Sequence, residues 1–549
     1  MTVVTPARSI PPSRRTWFRR EGLALHLVLW FVCLLLAAPV LGLVVLALKP
    51  VAGAGGLVWS PALASALTET LLLLGGVGLL SSALGVGAAW IIAMYRFPAR
   101  EWLAVMLVLP LALPTYLAAY LAVELTDFFG PFQRLLRALT GATSRRDYWF
   151  PEVRSLPGAI IVLSLVLFPY IYLPARLMFE RQVGRIIYAA RLHGARGVRL
   201  FLSIGLPLAR PAIAAGATFA LLETLNDVGA VEHLGVQSLS LAVRSLWLNR
   251  GNLPGAAQVV LACLLLVGAI LFVEHALRRH ASYANSSRAG APLTPMRLTG
   301  WQASAATLAC ALPVVLGFGM PALFLIVEAV RSVSKSGFTP GLIKALGNSI
   351  LLSLSAGLLV GLIGGLVAIG GRLLSGRLAR ITPRLATLGY AIPGAVLVIA
   401  LLPVFATLDD ALALISEKAI VSGSMVAILM AYLIRFTGIG ISQVEASLSR
   451  MSRNIDHAAR TLGCGVNRLA SDVLAPNILR GVGLAVLFAF VDAMKELPAT
   501  LLLRPLNMET LATSLYGYAS GGMFEEGAVE ALLLFGIGLI PVLLLARAR

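Results

Sequence analysis

Four carboxylates fall inside apolar stretches, where a bilayer makes charge expensive. Glu223 and Asp227 share one stretch and Asp492 and Glu496 another, each pair spaced i, i+4. On a continuous helix that spacing puts both side chains on one face. The pairs are separated by 269 residues (492 minus 223, 496 minus 227), so one is a copy of the other. Intramembrane carboxylates usually face a polar cavity or a partner. Two roles are open: an oxygen-rich face lining or gating a water-filled passage, or helix-end carboxylates paired with Lys495 or Arg504 to hold spans together. Glu223 lies sixteen residues past Pro207, roughly 24 Å along a helix, which places it toward the outer side of the bilayer.

The same offset relates two Arg-rich loops. One holds Ala189-Ala190-Arg191-Leu192-His193-Gly194 running to Ile204-Gly205-Leu206-Pro207; the other holds Ala458-Ala459-Arg460-Thr461-Leu462-Gly463 running to Val473-Leu474-Ala475-Pro476. Gly194 and Gly463 can supply a turn at backbone angles other residues avoid. Pro207 and Pro476 are expected at the first turn of the next span, where a missing N–H is tolerated. An ordinary helical loop with an incidental Ala-Ala would not require this spacing twice.

The elements that carry these groups are set by hydropathy. A chain with 58% hydrophobic and 13% charged residues and a mean hydropathy of +0.89 belongs in a bilayer rather than a soluble fold. Crossing a ~30 Å hydrocarbon core takes about 20 apolar helical residues. Such stretches fall near 24–48, 69–94, 102–123, 157–178, 211–231, 256–277, 303–329, 346–371, 385–407, 419–438, 481–503 and 527–547. No alternating barrel strands are evident, and the runs are about twice the length a barrel strand needs. The expected fold is all-α, with about 12 transmembrane helices.

Arg14, Arg15, Arg19 and Arg20 precede the first span, and arginines crowd both Ala-Ala loops. Basic flanks are retained in the cytoplasm, which puts both loops and both termini there. Residues 126–155 run against this with Arg134, Arg137, Arg145, Arg146 and Arg154. The net charge of +19 follows from the charge bias of a multi-pass inner-membrane protein and needs no nucleic-acid partner. Cys33, Cys263 and Cys310 lie in expected spans and Cys464 in a loop, with neither a disulfide framework nor a metal-spaced pair. The basic start and its long apolar run read as an uncleaved first span rather than a signal peptide.

Leu113-Pro114-Thr115-Tyr116 pairs with Ile392-Pro393-Gly394-Ala395 at an offset of 279 (393 minus 114), so the second half is about ten residues shorter before its loop, which the shorter stretch near 408–418 can absorb. The chain is a tandem duplication. The expected organisation is a basic N-terminus over 1–22, a six-span repeat over 23–277, a cytoplasmic linker over 278–302 and a second six-span repeat over 303–549. Six is even, so the repeats run parallel, related by an axis along the membrane normal.

These loops resemble the coupling loop of ABC importer permeases of the binding-protein-dependent, type I family, in which a short cytoplasmic helix docks into an ATPase subunit. The family's leading Glu is replaced here by Tyr188 and His457. The stretch Asp492-Ala493-Met494-Lys495-Glu496-Leu497-Pro498-Ala499-Thr500-Leu501-Leu502-Leu503-Arg504-Pro505, followed by Thr510-Leu511-Ala512-Thr513, resembles the ferric-iron branch of that family, as do Tyr390-Ala391-Ile392-Pro393-Gly394 and Leu109-Pro110-Leu111-Ala112-Leu113-Pro114. The resemblance implies a MetI-like fold with two permease halves fused. It also implies two cytoplasmic ATPase subunits on Ala189, Ala190, Gly194, Pro207, Ala458, Ala459, Gly463 and Pro476, and a periplasmic binding protein delivering Fe(III). ATP and Mg would sit on the ATPases, since this chain has no Gly-x-x-x-x-Gly-Lys-Ser/Thr phosphate loop. It binds no cofactor and is not itself an enzyme on this reading. Fe(III) is a hard cation, and Glu223, Asp227, Asp492 and Glu496 offer it transient oxygen contacts. Thiamine permeases share the fused organisation, polyamine and sulfate permeases are further alternatives, and a secondary transporter would show the same span count.

Overall fold

The computed structural model describes residues 23–49, 60–181, 187, 189–191, 193–195, 197–279, 295–374, 376–413 and 420–547. The basic N-terminus, most of the linker and Tyr188 lie outside them. Among the described residues nine helices are long and apolar enough to cross a membrane, or eleven if each of two bent pairs is one span; Ala528–Leu544 is a shorter apolar helix. Each of the twelve expected stretches is helical over most of its described residues, and among the described residues the strands reduce to one two-residue parallel pair, Tyr95–Arg96 with Met296–Arg297.

The duplication is visible helix by helix. Pro61–Met94 and Pro340–Leu373 are both 34 residues long and 279 apart at each end. Leu206–Asn226 and Ala475–Lys495 are both 21 residues long and 269 apart at each end. Thr70 Oγ1 accepts from the Leu239 amide at 2.9 Å, and Ser349 Oγ accepts from the Leu511 amide at 2.7 Å. Those are the same bond in each repeat, offset by 279 on the acceptor and by 272 on the donor.

Several expected spans are not single rods. The one at 102–123 breaks into Arg100–Ala112 and Thr115–Thr140, bent by 97°, and the one at 157–178 bends by 45° before Pro169. The one at 385–407 breaks between Ala391 and Gly394. Pro114 and Pro393 stand at φ/ψ of −56°/139° and −55°/140°. Each proline removes a backbone donor and biases its predecessor out of the helical region, which an apolar run does not reveal.

The chain forms two compact units. One gathers residues 23–41, Leu352–Ala391 and Leu429–Ala493; the other gathers the described residues of Gly42–Leu351, Ile392–Ile428 and Met494–Arg549. These units cut across the repeats because the leading helix of each repeat packs on the other. In the first unit, Leu25 joins the core of Ala368, Ile369, Val444, Leu448 and Leu469. In the second, Gly317 lies so close to the Leu165 carbonyl that a Cβ would sit 2.4 Å from its oxygen. Within the units helices cross at glycines: a Cβ on Gly85 would meet the Phe168 oxygen at 2.7 Å, and one on its counterpart Gly364 would meet the Gly440 carbonyl carbon at 2.7 Å.

Candidate functional site

The two Ala-Ala loops adopt the same turn. Gly194 has φ +84° and Gly463 φ +82°, the left-handed region that only glycine enters without strain. Each closes a helix in the same pattern: Gly194 N–H donates to Arg191 O and Ala195 N–H to Ala190 O; Gly463 N–H donates to Arg460 O and Cys464 N–H to Ala459 O. Ala189, Ala458 and His457 are exposed, Ala459 is half-buried, and Ala190 is 9% exposed.

Pro207 and Pro476 do not open new spans. Gly197–Asn226 and Val466–Lys495 are each continuous 30-residue helices. The missing proline donor is absorbed by a widened turn just before it, Phe201–Gly205 in one repeat and Leu469–Leu474 in the other. There the Leu206 amide reaches back five residues to Phe201 O, and the Ala475 amide to Ala470 O.

The second loop is tied down by charge. Arg372, at the end of Pro340–Leu373, meets Asp456 with Nε on Oδ2 at 2.8 Å and Nη2 on Oδ1 at 3.0 Å. It also donates to Leu448 O at 2.7 Å and Ser452 O at 3.2 Å. Both side chains are about nine-tenths buried, 9% and 10% exposed. By the repeat offsets the first loop has Ala93 and Ile187 at these positions, both buried.

The carboxylates part company. Helix Leu206–Asn226 ends one residue before Asp227, which leaves the helix at φ −88°, ψ 91° and caps the next, Val228–His233, accepting from the Ala230 amide at 2.8 Å. Glu496 likewise lies outside Ala475–Lys495 and accepts from the Ala499 amide at 3.0 Å, at the start of Pro498–Leu503. The i, i+4 pairs therefore do not share a helix face: Glu223 and Asp492 stay on the long helices, half-buried, while Asp227 and Glu496 are buried caps. A carboxylate at a helix N-terminus satisfies free N–H groups and meets the positive end of the helix dipole. Among the described residues no group of three or more His, Cys, Asp or Glu could hold a metal ion.

The two capped helices meet. A Cβ on Gly229 would lie 2.9 Å from Leu497 Cδ2 and 3.0 Å from Tyr116 Cβ. Val228, Gly229 and Glu232 from one repeat and Leu497, Pro498, Leu501 and Leu502 from the other line one cavity, with Ala395, Arg244 and Tyr516. Its volume is about 10 Å³, the room one water needs. Arg244 Nη1 pairs with Glu232 Oε2 and donates to Tyr516 Oη at 2.7 Å, and Tyr516 Oη donates to Glu232 Oε2 at 2.8 Å.

The loop 126–155, whose arginines run against the charge rule, uses some of them structurally. Arg137 donates to Phe128 O at 2.7 Å and stacks 4.0 Å from the Phe128 ring centre. Asp147 accepts from the Ser144 and Thr143 amides, which hold its carboxyl below the usual range.

A family model described as binding-protein-dependent transport system inner membrane component matches the chain twice, over residues 82–281 and 357–548. The Fe(3+)-transport system permease protein FbpB 2 of Haemophilus influenzae is 25% identical over 495 residues, 89% of this chain and 91% of its own length. The sulfate transport system permease protein CysT of Salmonella typhimurium is 28% identical over 260 residues, 45% of this chain and 88% of its own length. The molybdenum transport system permease protein ModB of Escherichia coli is 27% identical over 210 residues, 37% of this chain and 87% of its own length. With a match on each repeat and most of its length covered, the chain belongs to the binding-protein-dependent transport system inner membrane components, as an ABC permease with both halves fused in one polypeptide.

Proposed function

We propose that this chain is the permease of an ATP-driven importer that carries ferric iron, delivered by a periplasmic binding protein, across the bacterial inner membrane by alternating access. The observation that carries the substrate is coverage: similarity to an Fe(3+) permease runs through both repeats, whereas the sulfate and molybdenum permeases span less than half of this chain. Their similarity favours an oxyanion as the second reading. The buried carboxylates Asp227 and Glu496 speak against it, since like charge on a pathway repels an anion.

Two cytoplasmic ATPase subunits, carrying ATP and Mg, would grip the Ala189–Ala190 and Ala458–Ala459 loops, with both termini on the same side. Gly194 and Gly463 turn each loop, and the widened turns before Pro207 and Pro476 keep it continuous with a long helix, so a push on the loop moves the helix as a rod. Glu223, Asp227, Asp492 and Glu496 would border the path, Asp227 and Glu496 by fixing the short helices that narrow it. Tyr188 and His457 stand at the family's acidic position, where contact with the ATPase would have to be uncharged or basic.

The test is uptake of radioactive ferric iron by iron-starved cells lacking this gene, with and without its restoration. Labelled thiamine, sulfate and molybdate are run in parallel. Gene-dependent iron uptake that stops when ATP is depleted supports the proposal; gene-dependent uptake of another label with iron unaffected replaces the substrate and keeps the transporter.

A further inference from the structure

The Arg244, Glu232 and Tyr516 network joins residues that the duplication makes equivalent. The bond from Leu239 to Thr70 and its copy from Leu511 to Ser349 fix the offset in this segment at 272, and 244 plus 272 is 516. Arg244 therefore touches its own counterpart, at 2.7 Å. Two equivalent positions can meet only on the local two-fold axis that relates them. The cavity beside them is lined in the same paired way, by Val228 with Leu497, Gly229 with Pro498 and Glu232 with Leu501 at the 269 offset. An axial cavity between two halves is where a cargo moving between them has to pass.

We propose that Arg244, Glu232 and Tyr516 form a latch across this axis that holds the passage closed, and that Glu232 is the carboxylate the opened latch offers to a cationic cargo. Arg244 and Glu232 pair within the first repeat, and the Tyr516 hydroxyl of the second accepts from one and donates to the other, so both bonds across the axis run through that hydroxyl. The latch can break as the halves separate and re-form when they close. It is built once, not twice, because the counterpart of Glu232 is Leu501. Arg244 and Glu232 keep 24% and 35% of their side chains exposed, so the pair does not carry the desolvation cost of a fully buried one. With Arg244 swung away, the axis carries the Glu232 carboxylate, freed of its counter-charge, on one wall and Leu501 on the other, a surface that favours cations.

The inference rests on the permease reading and not on iron. The permease is reconstituted with its ATPase subunits in vesicles without binding protein, and leakage of trapped radioactive sodium and chloride is measured. Glu232→Gln and Arg244→Gln are expected to raise sodium leakage about tenfold, the size of an ordinary coupling between sites. Tyr516→Phe, which removes both bonds across the axis and keeps the ring, raises it by a comparable factor. The exchange Glu232→Arg with Arg244→Glu restores the closed level. Arg244→Gln should leak sodium faster than chloride, and the double variant with Glu232→Gln should lose that preference. Tyr516→Phe inserting normally and leaking like the parent, or the charge exchange leaking like the single charge variants, overturns the latch. Equal sodium and chloride leakage through Arg244→Gln overturns the role of Glu232 toward cargo. Failure of the parent to take up iron leaves these measurements intact and counts against the ferric reading alone.

Discussion

The two loops share a turn and differ in what holds it. At the first, the positions equivalent to Arg372 and Asp456 are Ala93 and Ile187, buried and apolar; at the second, a two-pronged ion pair and three further backbone bonds fasten the loop helix to the end of Pro340–Leu373. Apolar contact is non-directional and tolerates a helix that slides or rolls. A fork of guanidinium and carboxylate fixes one orientation. The duplication has thus kept the turn, which both loops need, and let the anchoring diverge, so the second loop is set to transmit motion more stiffly than the first.

The largest way to break this contrast is Asp456→Asn, which leaves Arg372 buried without a counter-charge and should cost about 3 kcal/mol. Ile187→Val at the equivalent first-loop position should cost about 1 kcal/mol. Thermal unfolding of the two variants in the same detergent measures both. Exchanging the charges, Arg372→Asp with Asp456→Arg, should recover part of the loss. Equal costs at the two loops would mean that the ion pair adds nothing beyond contact area.

Neither anchor was legible in the sequence, because Arg372 and Asp456 are 84 residues apart and are of types that apolar helices carry at their ends for many reasons. What could be read was the repetition itself. The offsets of 279 and 269 give the ends of paired helices to the residue, and Gly194 and Gly463 mark a turn that only glycine enters freely. The i, i+4 carboxylates misled because hydropathy runs straight through the helix ends at Asn226 and Lys495, although Gly229 and Pro498, each three residues further on, mark the breaks. The chain leaves the helix because Asp227 and Glu496 can cap the next one. The contact of Arg244 with Tyr516 escaped for another reason: an arginine and a tyrosine do not look like copies until the hydrogen bonds of Leu239 and Leu511 fix their register.

Where the repeats agree, paired substitutions should agree as well. Gly85→Ala and Gly364→Ala each force a methyl against backbone at 2.7 Å, and each should cost about 1 to 3 kcal/mol as overpacking. A much milder effect at one site would show that one repeat yields at its crossing while the other is rigid. Gly194→Ala and Gly463→Ala meet no atom within 4 Å, so each should lose only the strain of a positive φ, about 1 kcal/mol. If the loops dock ATPases, both variants should also lower substrate-driven ATP hydrolysis, and the tighter-held second loop should suffer more. Full hydrolysis in both would leave the turn a matter of folding alone.

The smallest effect comes from an ion pair that sits in water. Lys335 Nζ donates to Glu525 Oε2 at 2.8 Å, about as short as the Arg372 contacts, but the two side chains are 65% and 62% exposed. Lys335 holds the Glu525 carboxyl below its ordinary 4.5. A depressed carboxyl contributes stability that is complete above the unfolded value and fades as pH falls through the folded one, so the pair should matter at pH 7 and vanish in acid. Solvent screening limits it to about 0.5 kcal/mol or less. Glu525→Gln should therefore shift unfolding slightly at pH 7 in low salt, and not at all in molar salt. Asp456→Asn should keep most of its cost in the same salt, because its partner is buried. If salt erased both effects alike, burial would not distinguish the two pairs and the second loop would be no more firmly held than a surface contact.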